Sequence, residues 1–394
     1  MSPKQRLVLQ AVRRHGPLTR ADAVRMTGLS RSSIHALTSE LLQAGLISEF
    51  DRGMAGSRGR PATSFAYTGE AGHLVAIAFE QDQVRVGVAD LSGAILVEEQ
   101  AALDVGNDAE GALTAAATLA RSLLERLPAG AGAVLAAAAS LPGPVDFRHG
   151  TIGSFSILRG WAKVDPARRL SDLLDVPVII DNDANVAAYA EARSGASVGC
   201  RHLLFVKAST GVGAGLIVNG QIYRGAAGMA GELGHVTVEP AGRICRCGSR
   251  GCLETVCGIG AITAALIGTH PDGVTIEDVI DLARSSDAAA ERALADAGAA
   301  LGRAIGEVSN VLNPSMVVVG GELAAAGDLL IEPLRASLRQ AAMQVIALDL
   351  EVRASALGPA AELLGAAALC AAHVHGDIPS SSLEPGPVQI PASA

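Results

Sequence analysis

No run of apolar residues in this 394-residue chain is long enough to cross a bilayer as a helix, and no charged-then-apolar leader precedes a small-residue cleavage site. Cysteine is sparse, with six in all, too few for a disulfide scaffold at this length. These three absences point to a reducing cytoplasm and no membrane association. Positive charge is also short, and what there is lies at one end. Residues 1–70 hold ten Lys and Arg against five Asp and Glu, a net +5, leaving −14 for the remainder of a chain whose net charge is −9. A basic head on an acidic body suggests a polyanionic partner for the head alone. The length favours more than one domain.

Three of the six cysteines fall together, in Cys245-Arg-Cys247-Gly-Ser-Arg-Gly-Cys252-Leu-Glu254, ten residues after His235 of Gly231-Glu232-Leu233-Gly234-His235. Three thiols and one imidazole supply the four soft donors of a closed tetrahedral zinc site. With no open coordination position, such a metal shapes the loop rather than activating a water. Glu254, at a fixed offset from the last thiol, is then aimed at whatever binds nearby. The alternative is three buried free thiols in an Ala-rich core. Gly248 and Gly251 argue against it, because a tight turn lets thiols converge. Cys200, Cys257 and Cys370 stand apart and read as packing residues.

The basic head carries a helical stripe over residues 4–15 through Leu7, Val8, Ala11 and Val12. Thr19 and Asp22 form a capping pair for a second short helix through Ala21, Val24 and Met26. Gly28 makes a turn, and Ser30 caps a third helix with Ile34, Leu37 and Leu41 on one face. Helix, glycine turn, helix is the helix-turn-helix pattern, and it leaves Arg31, Ser32, His35 and Ser39 where side chains reach base edges and phosphates. Small three-helix bundles also mediate protein contacts, but the next segment favours DNA. Residues 46–50 and 63–67 read as paired strands around a tip carrying Arg58-Gly59-Arg60-Pro61. That extended cation suits a narrow A·T-rich minor groove.

From about Gly72 the pattern alternates apolar runs with Ala-rich helical stretches, the mark of an α/β domain. Strands are expected at 74–79, 84–90, 94–100, 133–139, 177–180, 203–208, 214–218 and 316–319. Two subdomains are expected, one ending near Asp183 and one beginning near Cys200, with a last helix around 360–374 crossing back. The Pro- and Ser-rich stretch after His375 reads as a disordered tail, with His373 and His375 on the surface. Ser209 to Gly215 fits either a phosphate-cradling turn or a glycine-rich hairpin. Asp181-Asn182-Asp183-Ala184-Asn185 follows an apolar strand, where ligands bind in open α/β sheets, and its carboxylates can act as general base or cap the next helix. Val317 to Glu322 is a third strand-to-glycine turn.

These motifs together resemble the ROK family of sugar kinases and sugar-responsive repressors: G-E-x-G-H at Gly231–His235, C-x-C-G-x-x-G-C-x-E at Cys245–Glu254, and N-D-A-N at Asn182–Asn185. The resemblance implies a winged helix-turn-helix over residues 1–70 and an actin-like or hexokinase-like two-lobed α/β domain over 72–376, which leaves 377–394 as the disordered tail read from composition. It implies zinc ligation by His235, Cys245, Cys247 and Cys252. It also implies sugar contacts from Asn182, Asp183, Glu232, His235 and Glu254, with Asp183 in the place of a kinase's catalytic base. Buried carboxylates suit a sugar, whose many donors need acceptors.

Two departures bear on function. Family kinases open their first strand into an Asp-x-Gly-Gly-Thr phosphate turn; here the stretch is Ala78-Phe79-Glu80-Gln81-Asp82-Gln83. Lacking both glycines and the leading Asp, with Glu80 and Asp82 facing a triphosphate, it argues against ATP binding and kinase activity. Ile157 stands where sugar-binding relatives carry Asn, which leaves the effector open. The expected function is a transcriptional regulator, a repressor, that binds operator DNA as a dimer or tetramer and responds to a sugar or sugar derivative in the interlobe cleft. The alternatives are an ATP-dependent sugar kinase with a DNA-binding appendage, and a zinc-stabilised regulator bound by a protein in place of a sugar.

Overall fold

The computed structural model describes residues 2–51, 63–69, 72–128, 132–146, 151–152, 158–162 and 164–377. The head begins with α1 (Pro3–His15), followed by a short strand β1 (Leu18–Thr19), α2 (Arg20–Thr27) and α3 (Arg31–Gln43). Ser2 and Gln5 cap the first helix reciprocally, as Thr19 and Asp22 cap the second. Gly28, at φ 68°, ends α2 in a left-handed turn, and Ser30 caps α3. Strands β2 (Ile47–Asp51) and β3 (Thr63–Tyr67) pair antiparallel, and β1 joins the outer edge of β3. Val8, Leu9, Val12, Ile34, Leu41 and Phe65 form the core of this unit. Leu7 is a correction to the expected stripe. It is 41% exposed, and Leu9 fills the core in its stead, since the buried arc of α1 is centred one residue further on.

The body is built twice on one plan. In the first lobe β4 (His73–Phe79), β5 (Gln83–Asp90) and β6 (Ile95–Ala102) form an antiparallel meander. After α4 (Ala109–Glu125), β7 (Val134–Leu141) adds parallel to β4. The short pair β8 (Val145–Asp146) and β9 (Thr151–Ile152) and helix α5 (Pro166–Leu174) lead to β10 (Val178–Asn182), parallel to β7. Helix α6 (Asp183–Ser194) carries the chain to the second lobe: β11 (His202–Ala208), β12 (Val212–Val218) and β13 (Gln221–Ile222). Helices α7 (Glu254–Cys257), α8 (Ile259–Ala265), α9 (Ile276–Arg284) and α10 (Ala288–Leu312) precede β14 (Met316–Gly320). Then come α11 (Asp328–Ala341), α12 (Gln344–Asp349), β15 (Glu351–Ala354) and α13 (Ala361–His375). Both sheets have five strands, ordered β6-β5-β4-β7-β10 and β13-β12-β11-β14-β15, so each is a meander extended by two parallel strands on its first-strand side. The eight expected strands are all present.

Two helices join the lobes. Residues of α6 and α13 share one core with Leu74 and Ala76 of the first sheet and Phe205, Ile217 and Val318 of the second. The close approach of these helices requires Gly365. A Cβ there would stand 2.1 Å from the Val186 carbonyl oxygen. The last helix therefore crosses back to the first lobe as expected, but its far end is not a free surface. His375 is fully buried, a correction to its expected exposure. Its Nδ1 donates to the Ala371 carbonyl, so its Nε2 accepts from the Tyr67 hydroxyl at 2.7 Å. Asp377, assigned from sequence to the tail, accepts from Gln10 at 2.6 Å and pairs with Arg13 at 2.8 Å. These contacts seat the head on the end of α13. Residues 378–394, the rest of the expected tail, lie outside the described residues.

Candidate functional site

The carboxyl ends of β4, β10 and β11 open onto a cleft of about 640 Å³. Asn182 and Asp183 reach it from the β10–α6 junction, Glu232 and His235 from the loop after β13, and Glu254 from the start of α7. All five residues expected to face a sugar therefore line one cavity. Their side chains differ in how free they are. Asn182 is the cap of α6: its Oδ1 accepts from the amides of Ala184 and Asn185, and its Nδ2 donates to the Gly143 carbonyl. Asp181 turns away from the cleft, held by Asn185 at 3.0 Å and Arg224 at 2.7 Å. Asp183 is the carboxylate of this motif that presents itself to the cavity.

Sequence reasoning missed the cations that meet these acids. Lys207 of β11 places Nζ 2.8 Å from Asp183 Oδ2 and 2.8 Å from Glu362 Oε1. Burial alone would loosen its proton, but the two carboxylates outweigh burial and raise its pKa above an ordinary lysine's. Arg246, between two of the cysteines, pairs with Glu254 at 2.5 Å. Arg85 pairs with Glu80 at 2.9 Å. One signal was available: Lys207 is the single charged side chain in the apolar strand Leu203-Leu204-Phe205-Val206-Lys207-Ala208, and such a charge needs a partner. Glu232 is pushed above the usual carboxylate range, first by burial and then by the nearby negative charge of Asp183.

Both candidate phosphate turns are occupied by acids. The β4–β5 tip holds Glu80, which accepts from Gln83 and Arg85. The Ser209–Gly215 segment contains the hairpin between β11 and β12, and the Val212 amide at its tip already donates to Glu254 at 3.2 Å.

His235, Cys245, Cys247 and Cys252 converge, all four ligand atoms lying within 4.8 Å of one another. Donors at about 2.3 Å (S) and 2.0–2.1 Å (N) on a tetrahedron stand about 3.6–3.8 Å apart. Cys247 Sγ lies 3.7 Å from Cys252 Sγ, and Cys245 Sγ lies 3.6 Å from His235 Nδ1. The set can hold a metal ion, and its spacing and soft donors fit zinc. His235 turns Nδ1 to the thiols and Nε2 toward Glu232, at 3.8 Å, so one ring faces both centre and cleft. Gly251, at φ 67°, is required in this knuckle, since a Cβ would fall 1.6 Å from the Glu239 carbonyl oxygen.

On the head, Arg31, Ser32 and His35 are exposed along one side of α3, and half-buried Ser39 donates its hydroxyl to the His35 carbonyl at 2.9 Å. Arg58 and Arg60 of the wing tip, and Ile157, lie outside the described residues.

The head matches the MarR family over residues 1–53. The xylose repressor of Bacillus spizizenii is 27% identical over 369 residues, covering 94% of this chain and 95% of its own. A solved ROK family transcriptional regulator, a homologue of the E. coli MLC protein, aligns with a TM-score of 0.84 and 25% identity over 97% of this chain and 99% of that one. A ROK family glucokinase from Streptomyces griseus, solved with glucose and AMPPNP, aligns at 0.67 and 28% over 76% of this chain and 99% of its own. With the ROK family pattern itself covering residues 74–373, this chain belongs to the ROK family.

Proposed function

We propose that this protein is a sugar-responsive transcriptional repressor whose winged helix holds operator DNA and whose cleft binds a neutral, unphosphorylated sugar. The observation that carries this reading is the joining of a helix-turn-helix head to a kinase-like cleft whose lining cations are already held by its own acids. Among the described residues lining the cleft, the two permanent cations, Lys207 and Arg246, are both ion-paired. Glu80, Asp82, Asp104, Asp183, Glu232, Glu254 and Glu322 surround the same space. A sugar phosphate or ATP would meet that field without a free counter-charge among the described lining residues. A neutral sugar instead finds acceptors for its hydroxyls, with Asp183, Glu232, His235 and Glu254 the groups placed to bond them. Asn182 acts mainly by fixing the start of α6.

His235, Cys245, Cys247 and Cys252 hold zinc in this reading. The ion supplies a cross-link that braces the knuckle, while the chain's own contacts aim Glu254 and Arg246 at the cleft. Against DNA, Arg31, Ser32, His35 and Ser39 face the major groove, and Arg58 and Arg60 enter the minor groove. A homodimer presents two heads to a pseudo-palindromic site. The similar xylose repressor supports both the DNA partner and the class of effector.

Fluorescence anisotropy with DNA from upstream of the protein's own gene tests the reading. D-xylose, D-glucose and N-acetylglucosamine are added in turn, each beside its phosphate ester, with ATP and magnesium in a parallel phosphorylation assay. A free sugar that weakens DNA binding while its ester does not supports the proposal. Saturable sugar phosphorylation, or response to the ester alone, refutes it.

A further inference from the structure

We infer that Lys207 and Glu362 are the positioning residues through which occupancy of the cleft reaches the DNA-binding head, an inference that rests on the sugar-responsive reading above. Lys207 is shared. Its one ammonium stands 2.8 Å from Asp183 Oδ2, facing the cleft, and 2.8 Å from Glu362 Oε1, facing α13. All three groups are largely buried, and the ammonium neutralises two carboxylates that would otherwise repel each other in a poorly screened setting. A hydroxyl that donates to Asp183 competes with Lys207 for the same carboxylate, so the balance between the two ion pairs shifts when ligand arrives.

Glu362 sits in the first turn of α13, where a carboxylate also complements the helix dipole, and Arg85 approaches it at 3.8 Å from the β4–β5 side. The helix spans 15 residues, about 22 Å at 1.5 Å per residue. Its close seat on α6 at Gly365 leaves little room to absorb a displacement. The opposite end holds the head: His375 bonds Tyr67, and Asp377 bonds Gln10 and Arg13. One helix thus touches the cleft network with its first turn and the head with its last. It is a physical element both sites can bias, which a coupling claim requires.

Hydrogen exchange on full-length protein without any sugar tests the connection directly. Glu362→Gln and Lys207→Met should raise exchange in residues 361–377 and in residues 3–15 on the order of tenfold, and Lys207→Arg, which keeps a bridging cation, should restore most of the protection. Faster exchange confined to residues 183–194 and 202–208, with α13 and α1 unchanged, would overturn the inference. If Lys207→Met does not fold, Glu362→Gln decides alone, because Lys207 keeps Asp183 as its partner. A second arm uses D-xylose and the upstream DNA. In Glu362→Gln, sugar should still bind, by calorimetry, while the change in DNA affinity at saturating sugar is lost, a split that a merely structural role does not produce. Equal DNA response in variant and wild type contradicts the inference. Absence of sugar response in the wild type counts against the repressor reading instead, and the exchange arm still decides the link.

Discussion

The seat of the head on α13 should loosen in mild acid, through His375. Its Nε2 accepts from Tyr67 and its Nδ1 donates to Ala371, so the neutral ring uses both nitrogens, and a second ring proton would force the Tyr67 hydroxyl to give up its donation and accept instead. Burial, aided by the positive charge of Arg13, pushes its pKa down from 6.5 to about 4. A histidine depressed in the folded state takes up its proton more readily when unfolded or undocked. The neutral ring therefore contributes its full stability above about pH 6.5 and loses it as pH falls toward 4. At about 1.4 kcal/mol per unit the whole effect is about 3 kcal/mol, of which about 2 kcal/mol is lost by pH 5. The groups around it do not share that window: Asp377 is held below the usual carboxylate range by Arg13 despite its burial, and burial raises Tyr67. Burial also depresses His373 and raises Glu232, so the comparison must be differential. His375→Gln cannot titrate. Amide exchange of residues 371–377, corrected for intrinsic pH dependence, should show wild type better protected at pH 7, with the gap to the variant shrinking by about 2 kcal/mol at pH 5. A gap of equal size at both pH values would refute the reasoning.

Cys247→Ser should lose zinc and lower stability, because one missing thiolate opens a four-donor site; a full equivalent of zinc in the purified variant, with unchanged melting, contradicts the structural-metal assignment. Arg58→Ala with Arg60→Ala should weaken DNA binding and flatten its salt dependence, whereas Arg31→Ala or His35→Ala should change the preferred sequence; normal binding by the wing variant across a salt series removes the wing from the interface. Asp183→Asn should cost about 1–3 kcal/mol of sugar affinity, roughly 5- to 150-fold by calorimetry. It should leave unliganded DNA binding near wild type, because Lys207 keeps Glu362; a variant that binds sugar normally rules out Asp183 as a contact.

What the sequence made legible was whatever rests on short-range spacing. The reciprocal cap of Thr19 and Asp22, the glycine turn at Gly28 and the three thiols within eight residues are all constrained by a single turn or loop. The central strands were legible because they are buried on both faces and read as apolar runs. Lys207, Glu362 and Arg85 were not, because their partnership is made by elements far apart in the chain and no local pattern encodes it. His375 was misplaced for the same reason. A polar residue at the end of a last helix looks exposed until the head is seen to cover it. The near-continuous apolar surface of α13 was the available warning, since a helix apolar all round must be covered all round.

The same distinction separates a kinase-like motif from kinase chemistry. A general base needs a lone pair poised for the proton it takes. In Asp183, Oδ1 accepts from the Ala184 amide and Oδ2 from the Lys207 ammonium. A carboxylate has about four lone-pair sites, so hydroxyl hydrogens can still bond to it. Taking a proton outright is another matter, since that would break the charge balance with Lys207 and leave the shared ammonium leaning on Glu362 alone. Near the position for a transferred phosphate, the Val212 amide is already given to Glu254, and Glu80 fills the β4–β5 tip. In the proposed reading, recognition of a hydroxyl survives these changes of partner and proton transfer does not, although the motif residues themselves are unchanged. On the function proposed above, the cleft reports a sugar through Lys207 without consuming it.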